Sequence, residues 1–503
     1  MNFLGIDVGT GGSRAVLVNE HGQTLATETV EHVPFASPQL GWAEQDPSDW
    51  WRASAAAIRS VLAAEHIRAD EIGGVGFSGQ MHGSVFLDEH DNVLRPALLW
   101  CDQRTEKQCA EITEKIGRQT LIEFVCNPAV TGFTLPKILW LRENEPEIWQ
   151  RVRSILLPKD YVRFRLSGDK ASDVADSSGT LLFDVKNRGW SNDMLNAFEL
   201  AKGLFPPVYE SIQITGTVSA QGSSETGLLA GTPIVAGAGD NAAGAIGMGT
   251  VAPGTASVTI GTSGVVFVVT DKPTLDLKGR THTLCHAIPD RWHMTGVTQG
   301  AGLSLKWFRE NFGCEKSYDE LVNEAAKVQP GSDGAIWLPY LMGERTPHLD
   351  PHARAAFVGF TAGHTRAHGV RAILEGVAFS LRDSLEIFKE LQLPIDKIRL
   401  GGGGARSELW SHIQADIYGQ EVELLEVEEG AAFGAAILAG VGVGAWMSVD
   451  DACKKTIRTK NIVRPDAESS VLLRRQYETY QTLYPALRSA MHDLSEIDAP
   501  SWP

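Results

Sequence analysis

Positive charge is in short supply in this sequence, and long apolar runs are nearly absent. The 503 residues carry 45 lysines and arginines against 62 aspartates and glutamates, a formal net charge of −17. Because binding to nucleic acid or to anionic lipid draws on an excess of cations, we expect neither as a partner. The charge-free stretch at residues 430–447 nears membrane-span length, but it contains five glycines, which predicts a buried helix followed by a turn.

Cysteine is also scarce, and no metal-ligand spacing stands out. The six cysteines form no Cys-x-x-Cys pair, and the spaced histidines His282 with His286 and His348 with His352 lack a third ligand. This cysteine usage is typical of a reducing compartment. The stretch MNFLGIDVGTGG has neither the basic segment nor the apolar run of a secretion signal. We therefore expect a cytoplasmic protein without a histidine-based metal site.

Strand-like and helix-like segments alternate along the chain, which predicts an α/β fold. The clearest helix is predicted for residues 46–65, with Asp46 as its N-cap and Pro47 at its first position. Apolar residues recur on one face of this helix. Trp50 and Trp51 are therefore expected in the core rather than at a ligand.

A repeat indicates two domains of similar plan. GIDVGTGGSRAVLV at residues 5–18 is similar to TIGTSGVVFVV at residues 259–269, each reading as strand, Gly-Thr, small residues and strand. The repeats lie about half the chain apart. We predict an N-terminal domain at residues 1–246 and a C-terminal domain at residues 247–503.

The end of the chain has a different composition. Downstream of residue 448 it becomes charged and reads as a helical tail. Its apolar residues recur at helical spacing, at Leu473, Tyr477, Tyr480, Tyr484 and Leu487. This face predicts packing against the rest of the chain or a dimer contact, rather than catalysis.

Three glycine-rich loops follow predicted strands. They comprise Gly9, Thr10, Gly11 and Gly12, then Gly261, Thr262, Ser263 and Gly264, then residues 401–404. Glycine lets the backbone approach phosphate oxygens and direct consecutive N–H groups at them, and threonine hydroxyls add donors. One such loop reads as an ordinary hairpin, but three in one chain favour nucleotide binding. No GxxxxGK[ST] segment occurs, so a Walker-type site is not supported.

Two further patterns would fit a dinucleotide-binding oxidoreductase. They are Gly402-x-Gly404 followed by Glu423, and GAGDNA at residues 237–242. The first lacks its third glycine or alanine, and the second has no acidic residue at residues 255–265 to hold a ribose. An NAD-dependent enzyme stays as an alternative to a phosphate-transfer enzyme.

Polar residues stand at the ends of three apolar segments. Asp7 precedes the first glycine loop, where a carboxylate could face Mg²⁺ or its waters. SGQMHG at residues 78–83 offers groups suited to the hydroxyls of a small polar ligand. Asp240 is the single charged residue within 232–249 and is followed by Asn241. It is either a turn residue or a catalytic carboxylate.

Together these motifs resemble those of the FGGY carbohydrate kinases over essentially the whole chain. The matching segments are GIDVGTGGSRAVLV, GWAEQDPSDWW, TGFTLPKILWL, GAGDNAAGAIG, IGTSG, RAILEGVAF, GGGGARSELW and EEGAAFGAAILAG. The resemblance implies two α/β domains of the actin and heat-shock-chaperone ATPase plan, which is ribonuclease H-like, with the active site in the interdomain cleft. SGQMHG is similar to the version found in xylulokinases, whereas glycerol kinases carry an NQRET type of segment.

The resemblance implies ATP-dependent phosphorylation of the terminal hydroxyl of D-xylulose, with ATP and Mg²⁺, in a cytoplasmic homodimer. Asp240 would be the general base, and Asp7 would support Mg²⁺ and phosphate positioning. The sugar would be lined by Gln80, Met81, His82, Trp100 and Asn241. Phosphates would be received by Gly9, Thr10, Gly11, Gly12, Gly261, Thr262, Ser263 and Gly264. Adenosine would pack against Gly402, Gly403, Gly404 and Ala405.

Two alternatives stay open within this fold. One is a kinase for another ketose or for a polyol. The other is a regulatory actin-like ATPase, which binds nucleotide and switches partners without phosphorylating a sugar.

Overall fold

The computed structural model describes residues 1–64, 67–426 and 430–497. The strands are β1 (Asn2–Val8), β2 (Gly12–Asn19), β3 (Thr24–Glu31), β4 (Glu44–Gln45), β5 (Ile72–Gly79), β6 (Val85–Leu87), β7 (Ala97–Leu98), β8 (Ser154–Leu156), β9 (Ser172–Asp173), β10 (Phe183–Asp184), β11 (Gly189–Trp190), β12 (Val208–Tyr209), β13 (Ile214–Thr217), β14 (Pro233–Val235), β15 (Ala238–Gly239), β16 (Gly254–Ile260), β17 (Gly264–Thr270), β18 (His282–Cys285), β19 (Trp292–Thr298), β20 (Ile336–Leu338), β21 (Ala356–Val358), β22 (Ile395–Gly402), β23 (Val422–Leu425) and β24 (Thr459–Val463). The helices are α1 (Pro47–Ala64), α2 (Glu106–Ile116), α3 (Arg118–Val125), α4 (Thr134–Asn144), α5 (Pro146–Trp149), α6 (Pro158–Ser167), α7 (Val174–Ser177), α8 (Asn192–Ala197), α9 (Ala220–Thr226), α10 (Asp240–Gly247), α11 (Ala301–Phe312), α12 (Tyr318–Ala325), α13 (Arg366–Glu390), α14 (Gly403–Arg406), α15 (Glu408–Tyr418), α16 (Gly430–Gly442), α17 (Val449–Thr456) and α18 (Ala467–Ile497).

Two seven-stranded mixed sheets share one plan. The first has the order β13-β14-β5-β1-β2-β3, with β15 also paired to β5, and the second has the order β18-β19-β17-β16-β22-β23-β24. In each, a central hairpin (β1 with β2, β16 with β17) is antiparallel, while the strand on its other side (β5, β22) is parallel to the first strand of the hairpin. The α/β fold and the repeated plan are confirmed, whereas the division between residues 246 and 247 stays a prediction.

Helix α1 follows its predicted signals. It begins at Pro47, and the Asp46 carboxylate accepts a hydrogen bond from the Ser48 N–H at 2.9 Å. Trp50 is fully buried and Trp51 nearly so. Their assignment to the core is confirmed. Glu65, at the end of the predicted helix, lies outside the described residues.

Helices α10 and α16 cross between the two sheets. Ala245 of α10 packs against Phe267 and Val269 of the second sheet, although α10 begins at the edge of the first. Helix α16 instead packs on the first sheet, where Phe433 joins Phe3 in one apolar cluster. Each sheet is thus covered by a helix from the other half of the chain.

The contacts of α16 with α10 and with β1 are so close that small residues are required. A Cβ atom at Gly434 would lie 1.9 Å from the Ala243 carbonyl oxygen, and one at Gly5 would lie 1.9 Å from that of Ala432. The charge-free stretch at residues 430–447 is therefore the predicted buried helix and turn. Across the part of the chain that the structure describes, no helix is long and apolar enough to span a membrane.

The tail after residue 448 is helical apart from β24, which pairs with β23 and extends the second sheet. The apolar face of α18 packs within the chain. Tyr477 donates a hydrogen bond to Asp383 at 2.6 Å, and the hydroxyls of Tyr480 and Tyr340 lie 3.0 Å apart. Packing is confirmed for this face, while the dimer contact is not tested.

Candidate active site at the edges of the two sheets

Three sequence motifs converge at one edge of the first sheet. The parallel strands β1, β5 and β15 end side by side, with β5 in the middle. Ser78 of β5 stands opposite Asp7 of β1 on one side and opposite Ala238 of β15 on the other. The first glycine loop, the 78–83 segment and Asp240 leave these three strands directly. The fold thus brings together residues that are more than two hundred positions apart.

Asp7 and Asp240 form a pair of half-buried carboxylates. The Ser78 hydroxyl donates to Asp7 Oδ1 at 2.9 Å, and Arg14 stands opposite Asp7 on β2. Burial raises the pKa of Asp7, while the Ser78 hydrogen bond and the charge of Arg14 oppose that rise. Burial together with the negative charge of Asp7 raises the pKa of Asp240 to about 7. A carboxylate with this pKa is suited to general base catalysis near neutral pH.

The donor chemistry of Asp7 fits a magnesium ion carried by a nucleotide. Mg²⁺ is usually held by one or two carboxylates together with substrate phosphates and water, rather than by a full protein cage. Among the residues that the structure describes, no group of three or more His, Cys, Asp or Glu could hold a metal. Asp7 is oriented by Ser78 and stands beside a second carboxylate, so a cation there would relieve the repulsion that raises the pKa of Asp240.

Met81 and Asn241 lie directly beside Asp240. The Asn241 amide donates to Asp240 Oδ1 at 3.2 Å and approaches the Met81 sulfur at 3.4 Å. Gly239 leaves the room that Met81 needs, since a Cβ atom there would lie 2.8 Å from the Met81 side chain. The two residues predicted to bind sugar therefore adjoin the predicted base, and their roles stay predictions.

His82 is held in one orientation. Its backbone is left-handed, with φ of 68°, and its Nδ1 lies 2.8 Å from the Gly179 carbonyl. Burial, and then the charge of Lys137, lower the pKa of His82 well below its ordinary value. The ring is therefore neutral, and donation from Nδ1 to a carbonyl leaves Nε2 as a hydrogen-bond acceptor. Its edge packs against Phe133, with 4.4 Å between ring centroids.

Gln80 and Trp100 contact the first glycine loop. The Trp100 indole N–H donates to the Thr10 hydroxyl at 3.0 Å, and that hydroxyl donates to the Gln80 side-chain oxygen at 3.2 Å. The Gln80 amide nitrogen donates to the Gly9 carbonyl at 3.3 Å. Both residues were predicted on the sugar side. In the structure their hydrogen bonds connect the predicted sugar-binding side of the site to the first glycine loop. Their contact with sugar stays a prediction.

The other two glycine loops also lie side by side. Strands β16 and β22 are parallel, with Ile260 opposite Gly402, so both loops leave the same edge of the second sheet. Gly402 has φ of 70°, and a Cβ atom there would lie 2.5 Å from the Ile260 carbonyl oxygen. Gly261, Thr262 and Gly403 are exposed. No charged side chain belongs to either loop, so their backbone N–H groups and hydroxyls are the available phosphate ligands.

Several residues near this site carried no recognised sequence signal. His282, whose spacing from His286 indicates no metal site, packs against the far side of Phe133, with 5.3 Å between the ring centroids. Arg345 comes from a turn without a motif, and its charge acts on both His82 and His282. Lys159 is fully buried, with its Nζ 2.6 Å from Asp173 Oδ2, in a charged cluster that a sequence pattern would assign to the surface.

Comparisons with known proteins match the whole architecture. Residues 2–247 match the model of the N-terminal domain of the FGGY family of carbohydrate kinases, and residues 256–443 match its C-terminal domain. The chain is 38% identical to the xylulose kinase of Bacillus subtilis (strain 168) over 481 residues, 96% of each chain. It is 37% identical to that of Escherichia coli (strain K12) over 490 residues, 97% of this chain and 100% of the relative. The crystal structure of a xylulose kinase from Brucella ovis superposes with a TM-score of 0.90 at 36% identity, covering 97% of this chain and 100% of that one.

Proposed function

Because the chain belongs to the FGGY family of carbohydrate kinases, we propose that it transfers the terminal phosphoryl group of ATP to the C5 hydroxyl of D-xylulose, giving D-xylulose 5-phosphate. The enzyme is a phosphotransferase with an alcohol group as acceptor. The observation that carries the proposal is the meeting of Asp240 with the SGQMHG segment and the first glycine loop at one sheet edge. The dinucleotide-binding alternative has no support from the family match.

Asp240 acts as the general base in this proposal. Its carboxylate accepts the proton of the attacking hydroxyl, while Asn241 holds the carboxylate through the hydrogen bond to Oδ1. The neutral His82 offers Nε2 to a sugar hydroxyl. Phosphoryl transfer depends mainly on positioning and on charge stabilisation, so these contacts are the main contribution that the first domain makes.

The glycine loops hold the nucleotide. Backbone N–H groups at residues 9–12 and 261–264 bind phosphate oxygens, and residues 402–405 pack against adenosine. Helix α10 connects the two regions, since it begins at Asp240 and leads to Met248, whose side chain contacts Gly401. Eight residues of helix span about 12 Å, which sets the separation between the base and this loop.

Mg²⁺ is proposed as the metal cofactor. Asp7 would hold the ion together with the nucleotide phosphates, and Ser78 fixes the carboxylate for that contact. The ion would supply neutralisation of the phosphate charge. We further propose that the enzyme works in the cytoplasm as a homodimer on small molecules, with domains at residues 1–246 and 247–503. The net charge of −17 supports the absence of nucleic-acid and membrane partners.

A substrate screen tests the proposal. ADP release is measured by a coupled assay with ATP and Mg²⁺ over pentuloses, hexuloses, polyols and glycerol, with Asp240→Ala as the matched inactive control. The expected result is the highest kcat/KM on D-xylulose and its loss in the control. A higher kcat/KM on another ketose or polyol would reassign the substrate. ADP release that no sugar stimulates would favour the regulatory ATPase.

A further inference from the structure

Arg345 is anchored to the second sheet. The Glu344 carboxylate accepts hydrogen bonds from the Arg345 N–H at 2.7 Å and from the Gln299 N–H at 2.9 Å. Thr346 exchanges hydrogen bonds with Val297 of β19, each 3.0 Å long. Glu344 and Thr346 are both buried. The backbone of Arg345 therefore has a fixed position on the C-terminal half of the molecule.

The side chain of Arg345 reaches the N-terminal half. A Cβ atom added at Gly132 would lie 3.1 Å from Arg345 Nη2 and 2.8 Å from the Trp100 carbonyl oxygen. The positive charge of Arg345 contributes to the lowered pKa values of His82 and His282, the two rings that flank Phe133. The guanidinium thus lies at the His82 side of the candidate sugar site.

This guanidinium lacks a hydrogen-bonded partner in the described part of the chain, although the negative charge of Glu344 acts on it. Within residues 1–64, 67–426 and 430–497, no side chain or carbonyl forms a hydrogen bond or ion pair with it, although the residue is half-buried. The half-buried Arg280, by contrast, is paired with Asp276 and Glu390. A half-buried cation is costly unless something pairs with it, and a fork of N–H donors is suited to binding two neighbouring oxygen atoms.

The position of Asp240 fixes which end of a sugar Arg345 would meet. Asp240 contacts Asn241, Asn241 contacts Met81, and His82 is the next residue along. The charge of Arg345 acts on His82, whereas the charge that raises the pKa of Asp240 is that of Asp7. A ketose whose C5 hydroxyl meets Asp240 and whose chain runs past Met81 and His82 would bring its C1 and C2 atoms toward Arg345.

We infer that Arg345 binds the C1–C2 end of the ketose, with its N–H groups donating to the C2 carbonyl oxygen and the C1 hydroxyl. The inference rests on the proposed function and adds a specificity-determining residue from the other domain. Sugar held at His82, Met81 and Asn241 would then be bound from both halves of the molecule. Sugar binding would thereby favour the closed cleft before phosphoryl transfer.

The test compares two substrates in four enzymes. The substrates are D-xylulose and 1-deoxy-D-xylulose, which lacks the C1 hydroxyl, and the enzymes are wild type, Arg345→Met, Arg345→Lys and the matched control Arg280→Met. Arg280 is a suitable control because its carbonyl accepts a hydrogen bond from Thr346, while its guanidinium points to Asp276 and Glu390. Steady-state kinetics give KM for each sugar and for ATP, and calorimetry without nucleotide gives D-xylulose binding.

We expect Arg345→Met to raise KM for D-xylulose about 10- to 100-fold, because charge-assisted hydrogen bonds are lost, while KM for ATP stays within about twofold. The ratio of kcat/KM for D-xylulose to kcat/KM for 1-deoxy-D-xylulose falls to about one in this variant. The ratio stays at the wild-type value in Arg280→Met and is intermediate in Arg345→Lys. Removing an unpaired cation leaves the melting temperature equal or higher.

Two failures can be told apart. Wild-type enzyme that does not phosphorylate D-xylulose overturns the proposed function. Wild-type turnover combined with an unchanged preference for D-xylulose over the analogue in Arg345→Met overturns the assignment of Arg345 alone. If Arg345→Met folds poorly, Arg345→Lys decides the matter, because it keeps the charge and loses the fork; an unchanged preference in that variant would also contradict the assignment.

Discussion

The two sheets end in edges that are alike in backbone and opposite in chemistry. At the first edge Asp7 stands opposite Ser78 across parallel strands, and at the second Thr259 stands opposite Gly401. Each pair precedes a hairpin loop of Gly-Thr and two small residues. At the first edge the charge of Asp7 acts on Asp240, whereas the loops of the second edge contain no charged side chain.

The difference in charged side chains between the two edges suggests how one repeated backbone plan could bind two different ligands. Carboxylates that orient a metal or take a proton would repel a triphosphate if they lined the whole nucleotide site. In the proposed site, confining the carboxylates to the first edge leaves the second edge to backbone N–H donors, which can bind phosphate without adding a titrating group. The chemical contrast between the two edges thus comes from a few side chains on a repeated backbone plan.

Removing the base at the first edge should have the largest effect. We expect Asp240→Asn to lower kcat by about 10³-fold or more, because both proton acceptance and substrate orientation at this position are lost. ADP affinity, measured by calorimetry, should stay within about twofold, since the nucleotide loops belong to other strands. Retained turnover within an order of magnitude of wild type would contradict the role of Asp240.

Lowering the pH should reproduce part of the loss of activity expected for Asp240→Asn. With the pKa of Asp240 near 7, the base is protonated at lower pH and cannot accept a proton, so kcat/KM for D-xylulose rises with pH and levels off above about 7. At pH 5 the loss should be up to about 100-fold for a single titrating group, and smaller to the extent that Mg²⁺ at Asp7 lowers the pKa of Asp240. The measurement is a pH profile from 5 to 9 at saturating ATP and Mg²⁺. A flat profile between pH 5 and 8 would show that another group acts as base.

A carboxylate placed at the second edge, in the position equivalent to Asp7, should remove the chemical difference between the two edges. We expect Thr259→Asp to raise KM for ATP about tenfold, because it places a carboxylate beside the loop that binds phosphates. KM for D-xylulose should be unchanged, since the sugar lies at the other edge. Thr259→Ser is the matched control and should behave as wild type. Equal effects on both substrates in Thr259→Asp would indicate a folding defect instead.

The smallest effect concerns stability. Asp240 has a raised pKa in the folded chain, so its ionisation destabilises the fold: the effect is absent below the ordinary pKa of 3.8, grows up to about pH 7 and is complete above it. Asp240→Asn should therefore melt about 2 °C or more above wild type at pH 8, and near wild type at pH 4. Asp271→Asn, at an exposed turn, is the control. Scanning calorimetry at both pH values decides, and an equal shift at both pH values would argue against Asp240 as the source.

Local sequence signals predicted helices and hairpins, whereas contacts between distant parts of the chain depend on tertiary packing. The hairpins, helix α1 and the 78–83 segment were predictable because strand, cap and turn preferences act over a few residues. His282 and Arg345 were missed because their approach to His82 depends on how the halves pack, which no spacing records. The tail predicted to be helical contains α17 and α18, but also β24, which adds to an existing sheet edge and is a tertiary effect that no local signal records.

Gln80 illustrates a further limit of sequence reasoning. Its position in the SGQMHG segment predicted a sugar contact, yet its amide is hydrogen bonded to Thr10 and Gly9 of the neighbouring strand end. The segment identifies a site, but the partner of each side chain depends on which strands become neighbours. For Asp240 the residues alone left a turn residue and a catalytic carboxylate open, and its predicted role as general base came from the FGGY resemblance.

The crossing of α10 and α16 means that the molecule has two lobes but not two independent folding units. A chain severed near residue 246 would leave fragment 1–246 without α16, and so with the apolar side chains Phe3, Val16 and Val18 uncovered. Fragment 247–503 would lack α10, whose Ala245 covers Phe267. Each fragment would need the other to cover its apolar surface, and the pair of crossed helices holds the two halves of the chain together.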